Sequence, residues 1–411
     1  MGWAIDQPVT TAQEPASWSA VGALGAGAFA LITAEFLPVG LLPQIAGDLA
    51  ISEGRAGLMV TTPGVAAACS AILTISVAKA DDRRFVLWLF LGLMVISNVL
   101  VACAGGLPML LAGRLLLGIA VGGFWTIGVS LGARLRPNEA GRATSIVFSG
   151  VTLGTVAGVP AGTLLGGVLG WRMAFAASAG LALLIALTLV WLLPVIRPER
   201  SSGISQVPAV LRLRKVQAGL VAVVFIFVGQ FTAYTYVSPF LAKVSGIGPT
   251  LLSGVLLSYG IAGIFGNLFC GWLVERDVRR AVLGTALLLG GSILLLLLTQ
   301  GNHGATASSM VAWGFAFGML PIAIQSWVFS AAPDQTESVA ALFVAITQLA
   351  IGAGALIGGL VVDHYGVVGA LILGATGAMA AAIWIYTTFP HPSSPVGAAS
   401  AAKLPHQDVG S

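Results

Sequence analysis

The chain has 411 residues, of which 57% are hydrophobic and only 8% charged, with a formal net charge of +4. Soluble domains carry nearer a quarter charged residues, so this composition excludes an ordinary soluble protein and defines an integral membrane protein. The basic residues lie in short connections between apolar runs and form no continuous patch, which argues against a nucleic-acid partner.

The first run, Trp18 to Pro43, is long enough to cross a bilayer and holds one carboxylate, Glu35. An acid inside a membrane span is costly and marks a functional site by default. The residues before it, 1–17, contain no Lys or Arg and lack the basic region of a cleavable signal, so the first span is expected to be retained behind a short cytoplasmic tail. Further spans are predicted at Arg55 to Ala78, Arg84 to Ala104, Leu107 to Ala133, Gly141 to Leu169 and Trp171 to Ile196. The polar segment 197–215 then reads as a cytoplasmic linker. Six more spans follow, at Val216 to Ala242, Pro249 to Val274, Arg280 to Gln300, Ala305 to Ser330, Glu337 to Val362 and Gly366 to Phe389. The tail 391–411, rich in Pro, Ser and Ala, is expected to be disordered. The expected fold is therefore all-α, with twelve transmembrane helices as two six-helix bundles, 18–196 and 216–390.

Fifteen Lys and Arg residues fall in one set of alternate loops and three in the other, with Arg114 inside a span. Basic loops stay in the cytoplasm, so both termini are expected there. The halves repeat: the run from Asp81, Asp82, Arg83 and Arg84 to Leu87 recurs at Asp277, Val278, Arg279 and Arg280 to Leu283. Likewise Leu164-Leu165-Gly166-Gly167 matches Leu356-Ile357-Gly358-Gly359. One six-helix unit present twice in parallel orientation is a transporter pattern. Cys69, Cys103 and Cys270 show no paired spacing and read as packing residues, so no metal or cofactor is expected. No phosphate-binding loop for ATP occurs in the sequence.

The run TAEFLPVGLLPQIAGDLAISE around Glu35, the DDRR loop, GRLLLGIAVGGFW from Gly113 to Trp125 and the glycine-rich fifth span resemble the major facilitator superfamily. Within it they are similar to the drug:proton antiporter branch of twelve-span exporters, and the N-terminal half to its sugar and purine ribonucleoside efflux pumps. The fifth span departs from that branch's signature in placing Val159 between Gly158 and Pro160. The resemblance implies an efflux antiporter of the drug-resistance type, driven by protons and acting on small molecules. It implies an inner-membrane location, with the bilayer as partner, and a monomer is expected. Import of a small metabolite stays open as an alternative, as, further off, does a polytopic membrane enzyme.

Candidate residues fall into three groups. Glu35 and Arg114 lie at similar depth from one face, and the resemblance makes their spans neighbours, so they are expected to meet and to couple transport to a proton. Phe124, Trp125, Gln230, Tyr234, Tyr236, Asn267, Gln325 and Trp327 supply rings and amides for a cavity holding a neutral or weakly polar solute. Asp81, Asp82, Arg83, Arg84, Asp277, Arg279 and Arg280 are candidates for gating contacts between loops. Gly154, Gly158 and Gly162 belong to a stripe of small residues in the fifth span, with Pro160 as a further packing candidate beside it; the stripe permits close helix contact, either as a seam between the halves or as general helix packing.

Overall fold

A computed structural model describes residues 17–77, 83–193, 210–332 and 336–388. Asp81 and Asp82, the side chain of Arg83, the tail before Ser17, most of the 197–215 linker and the tail after Thr388 lie outside the described residues. Among those described, the chain is a bundle of twelve helices. They are α1 (Trp18–Asp48), α2 (Glu53–Val77), α3 (Arg83–Ala102), α4 (Leu107–Leu135), α5 (Ala140–Leu153 and Val159–Leu169, joined by a π-helical turn) and α6 (Trp171–Leu192). Then come α7 (Arg214–Tyr234, continued by Val237–Lys243), α8 (Pro249–Val274), α9 (Val278–Leu298), α10 (His303–Ser330), and α11 and α12, residues 336–365 and 367–388.

Glycine punctuates this plan where the backbone requires it. Gly170 has φ +90° between α5 and α6, and Gly366 has φ +80° between α11 and α12, a region that L side chains rarely adopt. Positions 170 and 366 are 196 residues apart, as are Asp81 and Asp277, so the sequence repeat recurs in the backbone. Outward faces carry large apolar side chains such as Leu184, Phe265, Leu268 and Ile383, as a lipid-facing surface must.

The structure departs from the sequence reading at the end of α1 and in the middle of α5. α1 continues through Pro43 to Asp48, where Arg172 and the Trp171 indole bind the Asp48 carboxylate. α5 contains a π turn at Gly154–Gly158, in which the Val159 N–H bonds the Gly154 carbonyl five residues back. That shifted register lies directly before Pro160, which has no N–H to give.

The glycine stripe of α5 faces α1. A Cβ at Gly150 would run into the Gly25 carbonyl, at Gly154 it would stand 2.9 Å from Phe29 O, at Gly158 2.9 Å from the Thr33 Cβ, and at Gly162 it would overlap Leu37. Both helices belong to the first six. The opposite side of the π turn meets the second six, where a Cβ at Gly260 of α8 would stand 2.6 Å from the Val156 Cα. α2 and α11 form another contact between the two sets, with Gly64 against the Gln348 carbonyl and Gly352.

Candidate functional site

Two prolines set up the site. Pro38 in α1 and Pro63 in α2 each lack an N–H, so the carbonyls four residues earlier, Ala34 O and Met59 O, lose their helical donors. A buried carbonyl without a donor is costly, above all in a bundle surrounded by lipid. Arg114 of α4 supplies both. Fully buried, it donates from Nη1 to Ala34 O at 2.7 Å and from Nε to Met59 O at 2.6 Å, and from Nη2 to the main-chain oxygen of Glu35 at 2.7 Å. The guanidinium fork thus ties α1, α2 and α4 together at their two proline positions. Gly118 and Gly122 of α4 bring the helix close enough, since a Cβ on Gly118 would stand 2.6 Å from the Ala66 Cβ.

Glu35 and Arg114 therefore meet, but through the main chain of Glu35. Among the described residues no ion pair joins the Glu35 carboxylate to Arg114. That carboxylate, in a residue 3% exposed, instead accepts from Gln348 Nε2 of α11 at 3.2 Å. One residue is thus held by its backbone to the first six helices and by its side chain to the second six. Thr61 of α2 and Thr347 of α11 add buried hydroxyls with no hydrogen-bond partner among the described residues.

Where the α1–α2 loop lies, the halves are latched. Asp363 of α11 accepts from Ser52 Oγ at 2.8 Å and from Gly54 N–H at 3.0 Å, closing the first turn of α2 where N–H groups lack helical partners. Beside it Lys243 pairs with Glu53 at 2.9 Å. A cavity of about 500 Å³ opens next to these groups, lined in part by Pro43, Ile51, Lys243 and Val362. None of the three charged latch residues, Glu53, Lys243 and Asp363, was singled out from the sequence, where single charges in short loops carry no distinguishing pattern. Of the loop charges that were singled out, the described ones, Arg84, Asp277, Arg279 and Arg280, sit at the opposite end of the helices. Asp277 caps its own helix and pairs with Arg280 at 3.1 Å. Arg279 donates to Tyr386 O at 3.2 Å, and Arg84 to Leu193 O at 3.4 Å while lying over Trp88.

Next to Glu35, Phe36 begins an aromatic cluster that crosses the seam. Its ring stacks on Phe231 with centroids 5.6 Å apart, and Phe231 meets Tyr234 edge-on at 6.1 Å. Tyr234, Tyr259 and Phe317 stack on one another at 5.2 to 6.0 Å. Trp313 stands edge-on to both tyrosines, and its indole N–H donates to Gln230 Oε1 at 2.8 Å. Gln230 in turn donates from Nε2 to the Tyr259 oxygen at 3.1 Å. Of the residues chosen from sequence, Gln230 and Tyr234 belong here. Tyr236 lies elsewhere in the seam, wedged against Gly57 and Gly359 with its hydroxyl donated to Ala355 O at 2.7 Å. Phe124 is buried between Gly27 and Gly128, and the half-buried Trp125 stacks on Phe148 at 6.1 Å. Asn267 and Gln325 are half-buried on α8 and α10, and Trp327 is buried ten residues beyond Phe317, about 15 Å along the helix. Tyr259, Trp313 and Phe317 were missed. A Trp in a central span whose N–H must find a partner was the one available signal.

Twelve membrane-length helices, a buried acid shared between the two sets, and an aromatic cluster with buried hydrogen-bonding groups beside it define a polytopic membrane carrier of small molecules. The Major Facilitator Superfamily model matches residues 24–355, and the chain belongs to that superfamily of transporters. It is 37% identical over 358 residues to the purine ribonucleoside efflux pump NepI of Salmonella paratyphi A, covering 87% of this chain and 90% of the relative, and equally to that of Salmonella typhimurium. The fold is similar to that of the nucleoside transporter NupG, with a TM-score of 0.77 at 14% identity over 90% of this chain and 99% of that one. It is also similar to the xylose transporter XylE from E. coli in a partially occluded inward-open conformation, with a TM-score of 0.70 at 16% identity over 92% and 98% of the two chains.

Proposed function

We propose that this protein is a proton-coupled antiporter of the inner membrane, working as a monomer by alternating access, and that it exports nucleosides or solutes of similar size and polarity. The observation that carries the coupling is Glu35, whose backbone is fixed to one half and whose carboxylate is bound by Gln348 of the other. Any rocking of the halves must break or remake that contact, so the acid's surroundings change with conformational state. With the basic loops placed in the cytoplasm, the Asp363 and Glu53 latch closes the outer end. Its release opens the outward state, in which Glu35 takes a proton, and return to the inward state delivers that proton as solute binds. Exchange of one proton for a neutral solute, across about one pH unit and about 100 mV, supplies roughly 3.7 kcal/mol, a gradient of roughly 500-fold. The export direction and the nucleoside class are supported by the likeness to the ribonucleoside efflux pumps.

The test is transport in reconstituted vesicles. Glu35→Gln keeps the hydrogen-bonding shape and removes the titratable group. It should retain solute counterflow and lose accumulation driven by an imposed pH difference. Accumulation by Glu35→Gln protein at the wild-type level would overturn the coupling role.

A further inference from the structure

The hydrogen-bond order in the aromatic cluster leaves one proton unassigned. An indole nitrogen can only donate, so the atom of Gln230 facing Trp313 at 2.8 Å must be its oxygen. This fixes the amide: its NH₂ faces Tyr259, and the tyrosine oxygen accepts at 3.1 Å. The Tyr259 hydroxyl proton then points away from Gln230. It makes no hydrogen bond to the described residues, although Tyr259 is only 4% exposed. The neighbouring Tyr234 hydroxyl makes no hydrogen bond among the described residues either. The Tyr259 oxygen already accepts from Gln230, so this hydroxyl has one hydrogen bond left to give, and the Gln230 amide fixes the direction in which it is given. Both tyrosines stack on the half-buried Phe317, and the cluster reaches the seam through Phe36, the residue after Glu35.

We infer that Tyr259 is the substrate-orienting donor of this transporter, held in that polarity by the chain Trp313 to Gln230 to Tyr259. It selects a planar heteroaromatic ring with a hydrogen-bond acceptor on its edge, a ring carbonyl or an unprotonated ring nitrogen. Stacking on Tyr234 and Phe317 takes the ring face, and the Tyr259 proton takes the edge. Gln230 is a positioning residue, because both ends of its amide are already committed. This assignment rests on the nucleoside reading above and sharpens it: a saturated sugar alone offers no ring face, and a base lacking the edge acceptor leaves the donor unpaired. Sites built to hydrogen-bond one group discriminate strongly against analogues that lack it.

The experiment is counterflow in proteoliposomes, which needs no proton gradient, with inosine, 7-deazainosine and purine riboside as probes. 7-Deazainosine lacks the N7 acceptor, and purine riboside lacks the ring carbonyl while its N1 accepts where that of inosine donates. Wild-type protein is expected to exchange inosine about tenfold faster than at least one of them. Tyr259→Phe keeps the ring, removes the proton and should bring the rates together. Trp313→Phe frees the Gln230 oxygen to turn and take the Tyr259 proton. It should therefore lose the same discrimination with Tyr259 still present, a result that a packing role would not produce. Monodisperse elution in detergent checks that each variant is folded. Equal rates for all three probes in wild type, or wild-type rate ratios kept in Tyr259→Phe, overturn the assignment while leaving nucleoside export standing. No exchange of any probe by wild type overturns the nucleoside reading and the assignment with it.

Discussion

Replacing Arg114 with alanine removes the donors to three buried carbonyls at once. Glu35 O can recover a helical partner in the Val39 N–H, but Ala34 O and Met59 O cannot, because residues 38 and 63 are proline. Each stranded carbonyl costs about 1–3 kcal/mol, so the two together cost roughly 2–6 kcal/mol before any lost packing is added. That is comparable to the whole net stability of many domains, about 5–15 kcal/mol. Arg114→Ala should therefore unfold several degrees earlier, measured on purified protein in detergent by the fraction that still elutes as a monodisperse peak after heating. The decisive comparison adds Pro38→Ala and Pro63→Ala, which return an N–H to each stranded carbonyl. In that background Arg114→Ala should cost less than half as much. Equal losses in the two backgrounds would refute the idea that Arg114 acts on the proline positions and would return it to a role centred on the Glu35 carboxylate.

Gly158→Leu should abolish folded yield, since even a Cβ added there would overlap the Thr33 side chain and overpacking of a tight contact costs about 1–3 kcal/mol or more; normal yield and flux would place that face of α5 away from α1. Asp363→Ala and Lys243→Ala should each weaken closure at the latch, raising labelling of a cysteine placed at the buried Ala46 beside the latch cavity, and a disulfide between Ser52→Cys and Asp363→Cys should stop transport reversibly under reductant. A cysteine at Ser201 should resist an impermeant reagent in intact cells; labelling from outside would reverse the assigned orientation.

Much of the architecture was legible because membrane insertion writes itself into composition. A helix in lipid must satisfy its own backbone and present apolar side chains outward, so spans, their number and the internal repeat appear as runs and offsets in the chain. Glu35 and Arg114 stood out for the same reason, as charged residues where water is absent. Their partners did not. Similar depth in the sequence, with the family resemblance making their spans neighbours, placed Arg114 opposite the Glu35 carboxylate, because opposite charges at one depth are the simplest pairing. The tertiary structure sends the guanidinium to two carbonyls that Pro38 and Pro63 had stranded, and the carboxylate to Gln348, 313 residues away in sequence. The prolines were visible all along, but which donor reaches their orphaned carbonyls depends on how α4 is rotated against α1 and α2. The glycine stripe shows the same division. Its spacing of four declared a close helix contact, and packing alone decided that the stripe faces α1 while the back of the π turn meets α8. The order Trp313, Gln230, Tyr259 came wholly from the fold, since three residues on α10, α7 and α8 share no local spacing, and hydrogen-bond polarity exists only once their atoms are within 3 Å or so of one another. The sequence determined which groups are costly to bury; only the three-dimensional packing decided which of them relieve one another.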